Sequence, residues 1–269
     1  MHKTILITGS TDGIGLETAK MLYSQGHNVL LHGRNPRKLE AAEKTLSGLP
    51  GNGRVESHLA DLSRMTDVEA LAQAISQSHD RLDVLINNAG ILRASDTLTD
   101  DGFDIRFAVN TFAPCLLTRR LLPLLGPAAR VVNLSSAAQS PVDLQALAGR
   151  IRIPDELNAY AQSKLALTMW SRTMAQSQKD NGPLFVAVNP GSLLATKMVK
   201  EGFGMAGKDI RIGVDVLVRA ALSDEFADAS GKYFDNDQGR FAPPHADALD
   251  PRKCQDVVRV IEEVLVEKT

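Results

Sequence analysis

The sequence lacks three features that would mark a specialised class of protein: an excess of charge, a set of cysteines and a long apolar run. Its 30 basic and 32 acidic residues leave a net charge of −2, so nothing favours nucleic acid or an anionic membrane as a partner. Cys115 and Cys254 lie far apart in helical patterns, which predicts reduced core thiols rather than a disulfide framework or a metal site. No apolar run approaches the ~18 residues of a membrane span, and no charged and apolar leader precedes the first strand. We therefore expect a soluble, cytoplasmic protein whose partner is a small molecule, with no membrane span and no metal.

Apolar strand patterns alternate with amphipathic helix patterns along the chain. The first strand is predicted over 4–8, and the helix that follows it runs over 14–24 and stops at Gly26. The further predicted strands are 29–32, 54–59, 82–86, 131–134, 184–188 and 232–234. The further predicted helices are 36–46, 66–78, 102–125, 158–179, 214–222 and 252–266. Strands that read as continuous apolar runs between helices indicate an α/β fold with a doubly wound parallel sheet, formed as a single domain over residues 1–269.

A glycine-rich turn joins the first strand to the first helix, which is the context that a dinucleotide-binding motif requires. Glycines let the backbone approach a pyrophosphate, and the helix N-terminus offers free N–H donors and the positive end of its dipole. A tight strand-to-helix turn with no ligand would also use glycine. Three residues separate Gly9 from Gly13, a wider spacing than G-x-G-x-x-G. The residues predicted to contact the cofactor in this turn are Gly9, Ser10, Thr11, Asp12, Gly13, Ile14 and Gly15.

The end of the second predicted strand lacks the acidic residue that binds the ribose 2′-hydroxyl of NAD. Gly33 and Arg34 stand there instead. An arginine can pair with a 2′-phosphate through charge-assisted hydrogen bonds, so we predict that NADP(H) is preferred and that NAD(H) is possible. The alternative is an arginine in the solvated first turn of a helix.

Tyr160 and Lys164 lie four residues apart in a helical pattern, and residues with that spacing share one helix face. A nearby cation favours the phenolate, so we expect Lys164 to lower the pKa of Tyr160 and make it a general acid and base. The alternative is a half-buried tyrosine beside a solvated lysine.

These motifs together resemble those of the short-chain dehydrogenase/reductase family. The resemblance spans roughly residues 4 to 196, and its motifs stand in the family's order: TGxxxGIG at 8–15, Asp61, Asn87-Asn88-Ala89-Gly90, Asn110, Ser135-Ser136, Tyr160 with Lys164, and Asn189-Pro190-Gly191. The resemblance implies one Rossmann-type domain that exchanges hydride between NAD(P)(H) and an alcohol or a carbonyl compound.

The resemblance also implies roles for individual residues. In the family, the residues that match Asn110, Ser136, Tyr160 and Lys164 form a catalytic tetrad. Ser136 would polarise the substrate carbonyl, Tyr160 would exchange the proton, Lys164 would hold the nicotinamide ribose and Asn110 would hold a water that relays protons. The cofactor contacts implied outside the glycine turn and Arg34 are Asp61, Leu62, Asn88, Ala89, Gly90, Tyr160, Lys164, Pro190, Gly191 and Thr196.

Two spacings depart from the commonest family pattern. Twenty-three residues separate Ser136 from Tyr160, which resembles the long loop of the retinol-dehydrogenase-like branch and suggests a bulky apolar substrate. The stretch from Gly191 to Thr196 is one residue longer than usual. We expect 192–213 to form a substrate lid, with a mobile glycine-rich part at 197–208, and the resemblance implies a homodimer or homotetramer.

Two other functions fit the same fold. One is a non-catalytic NADP-binding sensor or scaffold, and the other is a different enzyme such as an epimerase or dehydratase. The complete tetrad favours the oxidoreductase, because a sensor has no chemical need for a tyrosine and lysine pair opposite a serine.

Overall fold

Strands and helices alternate along the chain in the computed structural model, which describes residues 2–179, 181–204 and 206–268. The strands are β1 (Thr4–Ile7), β2 (Asn28–Gly33), β3 (Val55–Leu59), β4 (Val84–Asn87), β5 (Arg130–Leu134), β6 (Leu184–Asn189), β7 (Lys232–Asp235) and β8 (Arg240–Ala242). The α-helices are α1 (Gly13–Ser24), α2 (Pro36–Ser47), α3 (Met65–Ser78), α4 (Ile105–Phe107), α5 (Ala113–Leu121), α6 (Leu144–Leu147), α7 (Glu156–Ser177), α8 (Lys197–Phe203), α9 (Arg211–Leu222) and α10 (Pro251–Lys268).

The strands form one sheet in the order β3-β2-β1-β4-β5-β6-β7-β8. All neighbouring strands are parallel except β7 and β8, which are antiparallel. β1 lies between β2 and β4, so the chain leaves β1 in one direction and later returns to its other side. Open α/β sheets bind ligands outside the carboxyl ends of the strands at such a reversal. The predicted doubly wound, Rossmann-type sheet is therefore confirmed, and its crevice lies beyond β1 and β4.

The core lies on both faces of the sheet, because successive strand residues point to opposite sides. Leu6 belongs to a cluster with α3, α5, α7 and α10, whereas Ile5 and Ile7 belong to a second cluster with α1, α2 and α9. Cys115 and Cys254 are buried free thiols, as predicted. Within the described part of the chain, no helix combines the length and the apolar character needed to cross a membrane.

The structure differs from the predicted elements in several places, one of which is the short helix α6, where no helix was predicted. The helix predicted over 102–125 is divided into α4, a π-helical turn (Ala108–Phe112), α5 and a 3₁₀ turn (Leu122–Leu124). The glycine-rich segment after Thr196 contains α8, and the chain beyond β7 turns back as the short antiparallel strand β8. β8 has three residues, too few for a pattern of period two to identify it.

Candidate active site

The glycine turn is fastened to the end of β4. Gly9 has φ +64°, and a Cβ atom there would lie 2.9 Å from the Cα atom of Ala89, so only glycine fits. The Asn88 side-chain amide donates to the carbonyl oxygens of Thr8 (2.8 Å) and Gly9 (3.0 Å). The Ala89 N–H donates to the Thr8 hydroxyl (3.1 Å). These contacts join the carboxyl ends of β1 and β4 at the point where the strand order reverses.

His32 supports the turn from the end of β2. Its Nδ1 accepts from the Gly9 N–H (3.1 Å), and its own N–H donates to the Ser10 hydroxyl (2.9 Å). Burial lowers the pKa of His32 to about 4, so the imidazole is neutral. Ser10 is fully buried and its hydroxyl is engaged with His32, so its side chain belongs to the support of the turn. The cofactor contact expected of Ser10 stays a prediction.

Two cations lie near the end of β2. Arg34 is exposed and makes no side-chain hydrogen bond with any residue that the structure describes. Lys38, one helical turn further on, donates to Asp12 Oδ2 (2.8 Å), and this hydrogen bond lowers the pKa of Asp12. A Cβ atom at Gly33 would lie 2.5 Å from Thr11 Cγ2, so a larger residue there requires Thr11 to move. Lys38 was not predicted from the sequence, although its spacing of four residues from Arg34 indicates that a second cation lies close to Arg34.

Tyr160 and Lys164 lie on the same face of α7, as their spacing predicts. The Lys164 ammonium is 5.7 Å from the centre of the Tyr160 ring and donates to the Leu134 carbonyl oxygen (2.7 Å). Burial lowers the pKa of Lys164 to about 8. Burial also raises the pKa of Tyr160, against an opposing effect from its hydrogen bond with Ser136. The pKa of Tyr160 is therefore not lowered overall, as the sequence led us to expect, because desolvation of the phenolate prevails.

The two serines after β5 have different environments. Ser136 is half-buried, its interaction with Tyr160 opposes the rise in the pKa of that phenol, and its hydroxyl oxygen accepts from the Ala138 N–H (3.1 Å). Ser135 is buried, and its hydroxyl is hydrogen-bonded to that of Thr168 (2.7 Å). The structure thus places Ser136, and not Ser135, in contact with the phenol.

Asn110 lies in the π-helical turn and is 1% exposed. Its Oδ1 accepts from the Ile91 N–H (2.8 Å), and its Nδ2 donates to the Ile91 carbonyl oxygen (3.0 Å) and to the Ser163 hydroxyl (2.9 Å). Single π-helical turns are frequent at functional sites. Here the amide fixes the backbone that follows β4 and ties it to α7.

A cavity of about 410 Å³ extends from the glycine turn to the tyrosine. The predicted residues on its wall are Gly9, Thr11, Asp12, Gly13, Ile14, Gly15, Arg34, Asp61, Leu62, Asn88, Ala89, Gly90, Tyr160, Lys164, Pro190 and Thr196. The predicted residues that the structure places off this wall are Ser10, Asn110, Ser136 and Gly191. The wall residues that the sequence analysis missed are His32, Gly33, Lys38, Ala60, Ile91, Leu92, Arg93, Val109, Leu134, Ser135, Lys197, Met198 and Glu201.

The segment before Thr196 contains a left-handed turn. Leu193 has φ +56°, a conformation that side chains other than glycine rarely adopt. Two backbone hydrogen bonds join this turn to Lys208: the Lys208 N–H donates to the Leu193 carbonyl (2.6 Å), and the Ala195 N–H donates to the Lys208 carbonyl (2.7 Å). Thr196 thereby stays on the cavity wall, where it caps α8 by accepting from the Val199 N–H (3.2 Å). Met205, inside the predicted lid, lies outside the described residues.

Comparisons with known proteins agree with this geometry. The short chain dehydrogenase family model matches residues 3–207. Retinol dehydrogenase 13 of Homo sapiens is 32% identical over 263 residues, which cover 91% of this chain and 80% of that protein. An uncharacterized protein from Mycobacterium paratuberculosis has a crystal structure with a TM-score of 0.80 and 29% identity, covering 98% of this chain and 93% of that one. A short chain dehydrogenase from Burkholderia cenocepacia, solved in complex with NADP, has a TM-score of 0.67 and 25% identity, covering 87% of this chain and 95% of that one.

Proposed function

The chain belongs to the short-chain dehydrogenase family and is an oxidoreductase of the retinol-dehydrogenase-like type, and from this premise we propose that it interconverts a carbonyl compound and an alcohol with NADP(H). The observation that supports the proposal is one cavity with the glycine turn at one end and Tyr160 at the other. That arrangement suits a dinucleotide whose reactive ring must reach the phenol. We also propose that residues 1–269 act as one catalytic domain.

The glycine turn fits a pyrophosphate. A Cβ atom at Gly13 would approach only Thr196 Cγ2, at 3.8 Å, so the backbone at the N-terminus of α1 is open to the cavity. Arg34 and Lys38 would hold the 2′-phosphate on the adenosine ribose, at the end of the dinucleotide opposite the nicotinamide. This agrees with the NADP bound by the Burkholderia relative. When bound, NADPH supplies the hydride. Preference for NADP(H) over NAD(H) is part of this proposal.

The protein's own residues would transfer the proton. Because burial raises the pKa of Tyr160, the phenol is protonated at neutral pH and can donate to a carbonyl oxygen as that oxygen gains charge. Ser136, bonded to the same phenol, would donate a second hydrogen bond to the carbonyl oxygen. The Lys164 cation, 5.7 Å from the ring centre, would stabilise the phenolate left behind. In the oxidation direction Tyr160 takes the proton back.

The substrate end of the cavity favours an apolar carbonyl compound. Leu92 and Met198 lie on the cavity wall, and the Arg93 guanidinium donates to the Glu201 carbonyl oxygen of α8. The name of the human relative gives retinol as its substrate, and retinal is the corresponding aldehyde for a first assay.

The cytoplasmic location and the homodimer or homotetramer stay predictions from the sequence.

Replacing Tyr160 with phenylalanine tests the function. The variant keeps the ring and its packing, so NADPH should bind with nearly unchanged affinity, while kcat for retinal reduction falls by about 10²–10⁴-fold because the proton donor is gone. The measurement is NADPH absorbance for turnover and NADPH fluorescence for binding. Tyr23→Phe is the matched control, since Tyr23 is 7% exposed and lies in α1, outside the cavity wall.

A Tyr160→Phe enzyme with near wild-type turnover would contradict the mechanism. A wild-type protein that binds NADPH and turns over no ketone, aldehyde or secondary alcohol would favour the sensor or scaffold. Products formed without net oxidation or reduction would favour the epimerase or dehydratase.

A further inference from the structure

The backbone carbonyl of Ser136 accepts two hydrogen bonds from side chains. The Tyr233 hydroxyl, from β7, donates to it at 3.0 Å, and the Gln139 side-chain amide donates to it at 3.0 Å. Gln139 is itself fixed, because its Oε1 accepts from the His245 N–H (3.1 Å). The segment that carries Ser136 is thus held from β7 and from the chain that precedes α10.

We propose that Tyr233 is a positioning residue for Ser136, which it holds in place through the Ser136 carbonyl oxygen. Tyr233 is 5% exposed and is not on the wall of the cavity, so it acts on the reaction through Ser136. Fixing the carbonyl fixes the orientation of the peptide that follows Ser136. The Ser136 hydroxyl oxygen meanwhile accepts from the Ala138 N–H, which leaves its own proton free for Tyr160 or the substrate.

The hydroxyl of Tyr233 stays protonated over the working pH range. Burial, and then the charges of Asp235 and Asp237, raise its pKa well above the ordinary value. Tyr233 therefore remains a donor to the Ser136 carbonyl. Tyr233 and His245 both lie beyond residues 3–207, the part of the chain that the family model matches. The C-terminal quarter of the chain is thus connected to the catalytic serine.

The proposal rests on the proposed role of Ser136, so the experiment has one readout that needs no substrate. In Tyr233→Phe, hydrogen exchange measured by mass spectrometry should become faster in peptides covering 135–141, because the Ala138 N–H loses its fixed partner. Gln139→Ala, which removes the other donor, should accelerate exchange in the same peptides. Tyr23→Phe is the matched control and should leave them unchanged, since it removes the same hydroxyl group from an equally buried ring elsewhere.

The second readout is turnover of retinal with NADPH. Tyr233→Phe should lower kcat about tenfold while the KM for NADPH stays within about twofold, because one of the two donors to the carbonyl is lost and the cofactor wall is untouched. In single-turnover reactions of a Ser136→Ala enzyme, adding Tyr233→Phe should change the rate by less than about twofold, since there is no serine left to position.

Two results would overturn the proposal. One is unchanged exchange over 135–141 in both Tyr233→Phe and Gln139→Ala, and the other is an equal loss of rate from Tyr233→Phe with and without Ser136. A wild-type enzyme that reduces no carbonyl compound would contradict the proposed function instead, and the exchange measurement would still decide whether Tyr233 holds the segment.

Discussion

Arg34 and Arg37 stand three residues apart near the start of α2, yet only Arg34 lies on the cavity wall. Arg34→Asp should therefore reverse the preference between NADPH and NADH, because a carboxylate repels the 2′-phosphate and accepts from a ribose hydroxyl. The measurement is the ratio of kcat/KM for the two cofactors. Arg37→Asp makes the same change of charge off the wall and should leave the ratio within about threefold of wild type, as expected for an exposed charge. Equal ratios in wild type and Arg34→Asp would remove Arg34 from the cofactor site.

Lys164 should set the upper pH limit of the reduction. Its pKa is lowered to about 8, so the ammonium is mostly charged at pH 7 and neutral well above pH 8. Carbonyl reduction should hold steady up to about pH 8 and then fall, because the cation that stabilises the phenolate disappears. A profile of kcat from pH 6 to 10 measures this.

The assignment of that ionisation has its own control. The residual activity of Lys164→Met should show no fall near pH 8, whereas the activity of Arg34→Asp should still fall there. A wild-type profile whose only ionisation lies near the ordinary pKa of a free tyrosine would show that Lys164 does not govern the rate.

At the scale of elements, α8 should respond to ligands as one unit. Its N-terminus is capped by Thr196, and the Arg93 guanidinium donates to the Glu201 carbonyl near its C-terminus (3.2 Å). Hydrogen exchange over 195–204 should slow when NADPH and a substrate analogue are both bound, because α8 closes the cavity from the side of Met198. Peptides from α10, remote from the cavity, should exchange at the same rate in both states. Equal exchange over 195–204 in the free and ternary forms would make α8 a fixed wall instead of a lid.

The sequence predicted best the strands and the long helix α7. α7 and the strands through β7 lie within two residues of the predicted bounds, because most of these strands are continuous apolar runs that helical patterns separate. α8 was missed because Gly202 and Gly204 led us to expect a mobile segment there. Whether a segment this short forms a helix depends on its contacts with the rest of the fold.

At the scale of the whole molecule, the motifs predicted which residues would lie together at one cavity, and the order of the strands in the sheet explains why they do. The glycine turn and Asn88 meet because β1 pairs with β4 and not with β3. The environment of each group was beyond sequence reasoning. Burial decides that the pKa of Tyr160 rises and that His32 is neutral, and burial depends on every helix packed against the sheet. The cavity wall formed by Leu92 and Arg93 has no local sequence signal for the same reason.

The hydrogen bond between Tyr233 and Ser136 has a consequence for how the protein is made. Tyr233 follows Ser136 by 97 residues, so β1 to β6 leave the ribosome well before the side chain that holds the serine carbonyl. Chains are synthesised from the N-terminus, and early segments begin to fold while later ones are still being made. A nascent chain that stops before β7 contains Tyr160, Lys164 and the whole glycine turn, but its Ser136 lacks that donor. Full catalytic competence would thus arrive only as β7 joins the sheet.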